Sequence, residues 1–350
     1  MERNRANFTQ ANQIYKKGKN LEKNSTTPST SPMANPPFPS SSPNKSRKKE
    51  NFAQISSTSD TSPISSTSDT SQTSSTSSNL PPSSISSPNS PLKLELTPTS
   101  DGSFTARHPI YDQCYHSREG AITESYYKHF LPAFQWWKFK NGDNHPSHLK
   151  ILDICFGLGY NIWVTLLHRP PQTRLHIISP ELDREVVEQI REFPYPPQLE
   201  PIKPIILEIS KNLGYKDKFV EIEVKIGDAR EIVQKAPSHF FDVCYQDPFS
   251  PKVNPELWTI EFFQTLSQKL HPDGVLTTYS VATPVRCALF KTGFHLYTHP
   301  YIQIRSGTIA LRNPSALFPK VDFKTKLTRT QCRYLTQTTR GKVEVKREEE

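Results

Sequence analysis

The stretch Lys150-Ile-Leu-Asp-Ile-Cys-Phe-Gly-Leu-Gly-Tyr-Asn161 decides the fold. Residues 149–154 form a short apolar run with one acid, Asp153, near its end. Gly157 and Gly159 follow, and then an apolar, helix-like run over 162–167. Strand, glycine-rich turn and helix in that order predict the first unit of a doubly wound nucleotide-binding sheet. A glycine lacks the Cβ that would block a tight turn, and it lets a ligand lie against the main chain. The amides that open the following helix then face whatever binds there. Ile162 stands where the dinucleotide fingerprint has its third glycine, so a tight turn without a ligand remains an alternative account of the pair.

Around this unit, composition limits how much of the chain can fold. Apolar residues make up 34% of the 350, and mean hydropathy is −0.62, too low for a core spanning the whole length. The deficit falls mainly on residues 1–91, a Ser/Thr/Pro-rich tract expected to be disordered. It holds a tandem, Ile55-Ser-Ser-Thr-Ser-Asp-Thr-Ser-Pro63 and Ile64-Ser-Ser-Thr-Ser-Asp-Thr-Ser-Gln72, too short and polar for a solenoid. The five cysteines are scattered and show no C-x-x-C pair, so neither a disulfide framework nor a zinc site is suggested. No run approaches the roughly 18 apolar residues of a membrane helix, and a soluble, cytoplasmic protein is expected. A net charge of +9 favours a polyanionic partner, with a generic basic surface as the plain alternative.

Four further segments read as strands after the glycine turn, over 174–179, 220–226, 241–245 and 275–279. A Pro-rich insertion over 193–218 separates the second strand from the third. Residues 294–297 and 301–311 read as a closing antiparallel pair. The expected domains are a cap over 92–148, a Rossmann-like domain over 149–320 and a basic, flexible tail over 321–350. Within the cap, 126–137 reads as a helix.

Asp153, Glu181, Asp228 and Asp247 then fall at the C-terminal ends of successive parallel strands. That edge is where open α/β sheets bind ligands. An acid about 20 positions beyond the glycines suits a ribose diol, and Glu181 fits. Gly227-Asp228-Ala229 suits an adenine amino group. A helix cap accounts equally well for any one of these acids taken singly. Five parallel strands with a closing antiparallel pair are the layout of a class I S-adenosylmethionine (SAM) methyltransferase: α/β, Rossmann-like, with a mostly parallel seven-stranded sheet.

The loop Asp247-Pro-Phe-Ser-Pro251 is the expected reaction site, since an amine nucleophile needs an oxygen to orient it and accept its proton. It also resembles the Asp-Pro-Pro-Tyr loop of amino methyltransferases. A wider resemblance is to the bacterial tRNA 5-methylaminomethyl-2-thiouridine methyltransferase family, the methyltransferase half of MnmC. Asp242-Val-Cys-Tyr-Gln-Asp-Pro-Phe-Ser-Pro-Lys-Val-Asn-Pro-Glu-Leu-Trp258 resembles its D-A-W-F-L-D-G-F-A-P-x-x-N-P-x-x-W. Tyr111-Asp-Gln-Cys-Tyr-His-Ser117 resembles F-D-D-x-Y-F-S, and Phe156-Gly-Leu-Gly-Tyr-Asn161 resembles F-G-T-G-L-N. Further matches carry the likeness across residues 110–311. Cys155 and Leu158 depart from the family's G-F-G-T-G, and Arg305-Ser-Gly-Thr-Ile309 replaces its basic G-x-G-x-K-R-E-M.

The resemblance implies transfer of a methyl group from SAM to the exocyclic amine of 5-aminomethyl-uridine at the tRNA wobble position. The partner would be a tRNA anticodon stem-loop, with a separate enzyme supplying the aminomethyl group. The family's flavin-dependent oxidase half is not seen, so a stand-alone methyltransferase is expected. Asp153, Gly157, Gly159, Glu181, Asp228 and Ala229 would hold SAM, with Tyr115, Ser117 and Glu124 closing over it. Asp247 would orient the amine, Phe249 would pack on the uracil, and Lys252, Arg286 and Arg305 would meet RNA phosphates. No metal is expected. Two alternatives are an aminopropyltransferase using decarboxylated SAM and a non-catalytic RNA-binding module with a degenerate pocket.

Overall fold

A computed structural model describes residues 94–142, 146–299, 301, 304–322, 333–337 and 342–347. The tract over 1–91 lies outside them. The glycine-turn unit is present as expected. Strand β4 (His148–Ile154) runs into the turn, and a helix, Tyr160–His168, leaves it. Strand β4 lies at the middle of the sheet, with β5 (Arg174–Glu181) on one side and β8 (Phe241–Gln246) on the other. Strands β7 (Val220–Ile226) and β9 (Leu270–Thr278) extend the parallel set to five. Strands β10 (His295–Tyr297) and β11 (Thr308–Leu311) close one edge antiparallel to β9 and to each other in the order β10-β11-β9.

The sheet has eight strands rather than seven. The Pro-rich insertion forms a 3-10 turn (Pro197–Ile202), a helix (Lys203–Asn212) and a short strand, β6 (Gly214–Lys216), paired antiparallel to β7. Side chains alternate across a strand, so consecutive residues of β4 serve different cores. Leu149 and Ile151 pack with Val243, Tyr245 and Trp163, whereas Leu152 and Ile154 pack with Cys244, Leu276, Phe262 and Leu266. Both faces are covered by helices, as a parallel sheet requires.

Two smaller sheets flank this core. Strands β1 (Glu95–Pro98), β2 (Phe104–His108) and β3 (Gln113–Cys114) form an antiparallel lobe, followed by a long helical segment, α1. That segment runs through Ala121–Glu124, a wider π stretch over Ser125–Phe130, and Leu131–Asn141. The region expected to be a flexible tail instead carries a hairpin of β12 (Arg333–Gln337) and β13 (Val343–Arg347). Glu261 fastens it, accepting from the Thr336 hydroxyl at 2.5 Å and from the Gln337 amide at 3.0 Å. Cys114, Cys155 and Cys244 are free thiols, whereas Cys287 is disulfide-bonded, which the scattered spacing did not suggest. No described helix is long and apolar enough to cross a membrane.

The turn itself sets a steric limit. Gly159 has φ 74°, in the left-handed region, and a Cβ there would lie 2.5 Å from the buried Trp163 ring. Trp163 has no room to retreat, since its Nε1 donates to the Leu158 carbonyl at 3.0 Å. Gly159→Ala is expected to destabilise the fold by about 2–4 kcal/mol through backbone strain and overpacking. Urea denaturation followed by tryptophan fluorescence measures this, and a loss below about 1 kcal/mol would contradict it.

Candidate active site

A cavity of about 580 Å³ opens at the C-terminal edge of the parallel strands. Its floor is built from Cys155, Gly157, Glu181, Gly227–Ala229 and Asp247–Phe249. The antiparallel lobe contributes His108, Tyr111, Tyr115, His116 and Ser117, while α1 contributes Glu124, Lys128 and His129. Several bonds tie the lobe down over the edge. The Tyr160 hydroxyl donates to the Phe104 carbonyl at 2.8 Å, and the Ser250 hydroxyl donates to Gln113 Oε1 at 2.8 Å. His108 Nε2 stands 3.7 Å from Asp183 Oδ2.

The four strand-end acids differ in their surroundings. Glu181 accepts backbone amides from Gly157 and Leu182, both at 2.8 Å, and from Asp183 at 3.0 Å. Burial raises its pKa, and these three bonds offset part of the rise. Asp228 caps the helix Ala229–Lys235, accepting from Arg230 N at 2.8 Å, and also pairs with the Arg230 guanidinium at 2.5 Å. It lines the cavity, but the capping role considered from sequence is also filled.

Asp247 is held from two sides. Its Oδ2 accepts from Asn161 Nδ2 at 2.9 Å, and its Oδ1 lies 3.4 Å from His129 Nε2. Burial alone would push its carboxyl upward. His129, the charge of His116 and the Asn161 amide together outweigh burial and hold it below the usual carboxylate range. The same Asn161 amide reaches Asp153 Oδ1 at 3.2 Å. Asp153 is fully buried and does not line the cavity, which corrects its expected place against SAM. It accepts the Ser179 hydroxyl at 3.0 Å and supports the floor from below. Gly159 likewise stays off the cavity wall and serves the turn.

Gly157, at φ 51°, allows the Tyr115 ring to lie across the turn: a Cβ would stand 2.9 Å from that ring. Tyr115, Tyr111 and His108 gather around Phe249, with centroids 5.1, 5.3 and 5.9 Å from its ring. Phe249 therefore joins the cavity floor to the lobe. Ser117 donates its amide to Glu124 Oε2 at 2.9 Å, bringing those two expected residues together. Lys252 is exposed, on the Asp247 loop, and Arg305 is exposed and pairs with Glu119 at 3.2 Å.

Arg286 requires a correction. Its side chain is buried, and Nε donates to Thr308 Oγ1 at 2.9 Å while Nη2 donates to the Gly307 carbonyl at 3.2 Å. It braces the β11 edge and is not free to meet a phosphate. Sequence reasoning also missed Asn161, His116, Lys128 and His129. Asn161 follows the glycine turn at the helix entry, which was a usable signal. Lys128 and His129 turn inward together along the π stretch, and spacing gave no sign of that.

Burial, with the Asp247 charge next in size, pushes the Asp153 carboxyl up to about 8, against an ordinary value of 3.8. Between those values the native state holds a proton that the unfolded chain releases, so Asp153 lowers stability progressively as pH rises, levelling above about 8. Asp153→Asn lacks that titration and can keep both hydrogen bonds. Its urea midpoint is therefore expected to gain on that of the parent between about pH 5 and pH 8. An unchanged difference between the two pH values would refute the assignment.

With this geometry in place, the likeness to known proteins is specific. A family model described as S-adenosyl-L-methionine-dependent methyltransferase matches residues 199–313. The crystal structure of MNMC2 from Aquifex aeolicus superposes with a TM-score of 0.60 at 31% identity, covering 70% of this chain and 78% of that one. An uncharacterized protein of Methanocaldococcus jannaschii is 31% identical over 226 residues, 63% of this chain and 60% of that protein. The tRNA 5-methylaminomethyl-2-thiouridine biosynthesis bifunctional protein MnmC of Azoarcus sp. is 28% identical over 59% of this chain. This chain spans 34% of that bifunctional protein's length. On the structure match and its coverage, the chain belongs to the S-adenosyl-L-methionine-dependent methyltransferases of the MnmC type.

Proposed function

We propose that this methyltransferase modifies the exocyclic amine of a 5-aminomethyl-uridine at the wobble position of tRNA. The observation that carries the reading is Asp247: an ionised carboxylate, fixed by Asn161 and His129, at the cavity floor beside Phe249. The resemblance to MnmC supplies the nucleoside, and the charge of the cavity supports an amine. Among its described lining residues are Glu124, Glu181, Asp183, Asp228, Asp247 and Glu256, against Lys128 as the only lysine or arginine. Such a wall favours cations and repels phosphate, so the RNA backbone stays outside, near Lys252 and Arg305.

The residues present fit the cofactor. Gly157 leaves a cradle that a Cβ would fill, with Tyr115 over it and Glu181 anchored beneath by the turn's own amide. In this reading Gly157, Glu181, Asp228 and Ala229 hold the nucleoside part, and Tyr115, Ser117 and Glu124 cover the remainder. When bound, S-adenosylmethionine supplies a sulfonium methyl group for in-line displacement. Asp247 orients the acceptor by taking an N–H of its amine. A carboxylate held below its usual range is a poor proton acceptor, so this task is mainly positioning. His116, whose pKa burial lowers, adds a ring nitrogen to the same cavity. Phe249 gives the uracil an apolar face.

Labelled SAM supplied with tRNA from cells lacking their own wobble methyltransferase should place label in 5-methylaminomethyl-uridine, identified by nucleoside analysis. Asp247→Ala is expected to slow transfer by about 10²- to 10⁴-fold while SAM affinity changes less than about 3-fold. Glu181→Gln should show the opposite pattern, weakening SAM binding by about 10-fold or more by calorimetry through loss of charge-assisted bonds. Label in a polyamine instead of RNA, or undiminished transfer by Asp247→Ala, would overturn the proposal.

A further inference from the structure

Glu124 and Lys128 form an ion pair at 2.5 Å on successive turns of α1, with side chains 13% and 7% exposed. Burying two charges is costly, and their mutual attraction repays it only when the remaining donors and acceptors are also used. Glu124 uses its second oxygen on the Ser117 amide. Lys128 has three N–H donors, and among the described residues its one hydrogen-bond partner is Glu124. Both side chains line the cavity. The π stretch brings Lys128 to this place, and π turns within helices are frequent at functional sites.

The pair has the charge pattern of a receptor for an amino-acid zwitterion. The methionyl end of SAM carries an α-ammonium and an α-carboxylate on the same carbon. Six acids line the cavity, and they repel that carboxylate wherever it would otherwise settle. Lys128 is the one lysine or arginine among the described lining residues able to receive it. We infer that Lys128 binds the α-carboxylate and Glu124 the α-ammonium of the methionyl group, so that Lys128 selects SAM over its decarboxylated form. The inference rests on the reading that the cavity holds SAM. It deepens that reading by naming the residue that separates methyl transfer from aminopropyl transfer.

The selection also has a physical direction. Decarboxylated SAM has only hydrogen where the carboxylate would lie, so the Lys128 ammonium gains no anionic partner and faces the retained ligand ammonium with no carboxylate to offset their repulsion. A charge-assisted bond gained with one ligand and a repulsion met with the other both favour SAM. Lys128 thus acts on specificity rather than on the reacting atoms.

Calorimetric titration with SAM and with decarboxylated SAM tests this on the full chain. The parent protein is expected to prefer SAM by about 10- to 100-fold, the range of one hydrogen bond to a charged group. Lys128→Met should bring the two affinities within about 3-fold of each other, whereas Lys128→Arg should keep the preference. Because Lys128→Met leaves Glu124 buried and unpaired, the double variant Lys128→Met with Glu124→Gln is titrated alongside it, and urea midpoints confirm folding. Equal affinity in the parent, or an undiminished preference in the folded Met variants, would overturn the inference while leaving SAM binding intact. A parent that binds neither compound would overturn the cavity assignment and the inference with it.

Discussion

One side-chain amide, Asn161 Nδ2, lies between two carboxylates at the ends of neighbouring strands, and the site depends on that arrangement. It donates to Asp153 at 3.2 Å and to Asp247 at 2.9 Å. Two carboxylates this close cannot both ionise cheaply, and the structure resolves the conflict by unequal surroundings. Asp153 is sealed below the floor and raised, while Asp247 gains His129 and is lowered. Strand register puts Asp153 opposite Tyr245, two residues before Asp247, so the separation is built into the β4–β8 pairing. The glycine turn then starts the helix at the point where Asn161 reaches both acids.

The lobe supplies what the sheet edge lacks. An open edge exposes its acids to water, where an oriented amine gains little. The Tyr111, Tyr115 and His108 rings close on Phe249, and Tyr115 covers the turn because Gly157 has no side chain. Cys155 stands where the family has glycine, with φ 69°, and keeps the left-handed backbone that the turn demands. A non-glycine residue in that region carries strain, which surrounding packing must hold. Cys155 is half-buried, the low-dielectric surroundings of its thiol push the pKa well up, and it acts as a small filler at the cavity wall.

The fold was legible because its signals are local. A strand run, two glycines and an apolar helix need no distant partner to be read, and each strand-end acid is positioned by the strand before it. What escaped depended on distant contacts. Arg286 looked like any solvated arginine, yet Thr308 and Gly307 satisfy it inside the fold. The edge strand Gly214–Lys216 exists only through pairing with β7. The hairpin over 333–347 is polar enough to read as a tail, and Glu261 in a distant helix fastens it. Lys128 and His129 were passed over for a related reason. An α-helical spacing turns adjacent residues about 100° apart, so two buried neighbours of this kind are not expected on a surface helix. The π stretch changes that geometry, and no single residue type announces it.

This arrangement also separates two electrostatic tasks that a basic protein would otherwise confuse. A net charge of +9 attracts a polyanion from a distance, through a field that salt weakens. Inside the cavity the sign reverses: six acids face one lysine. A phosphate drawn by the outer field therefore meets repulsion at the mouth, while a cationic group carried on the same polymer is drawn inward. In the proposed reaction both the sulfonium and the acceptor amine are of the favoured sign, and the polyanion that brings the amine is of the other. Under the proposed function, the outer charge would meet the polyanion and the cavity's opposite charge the reacting groups. Asp247 suits the cationic side of that division, since His129, the His116 charge and the Asn161 amide hold its carboxyl below the usual range against the upward push of burial.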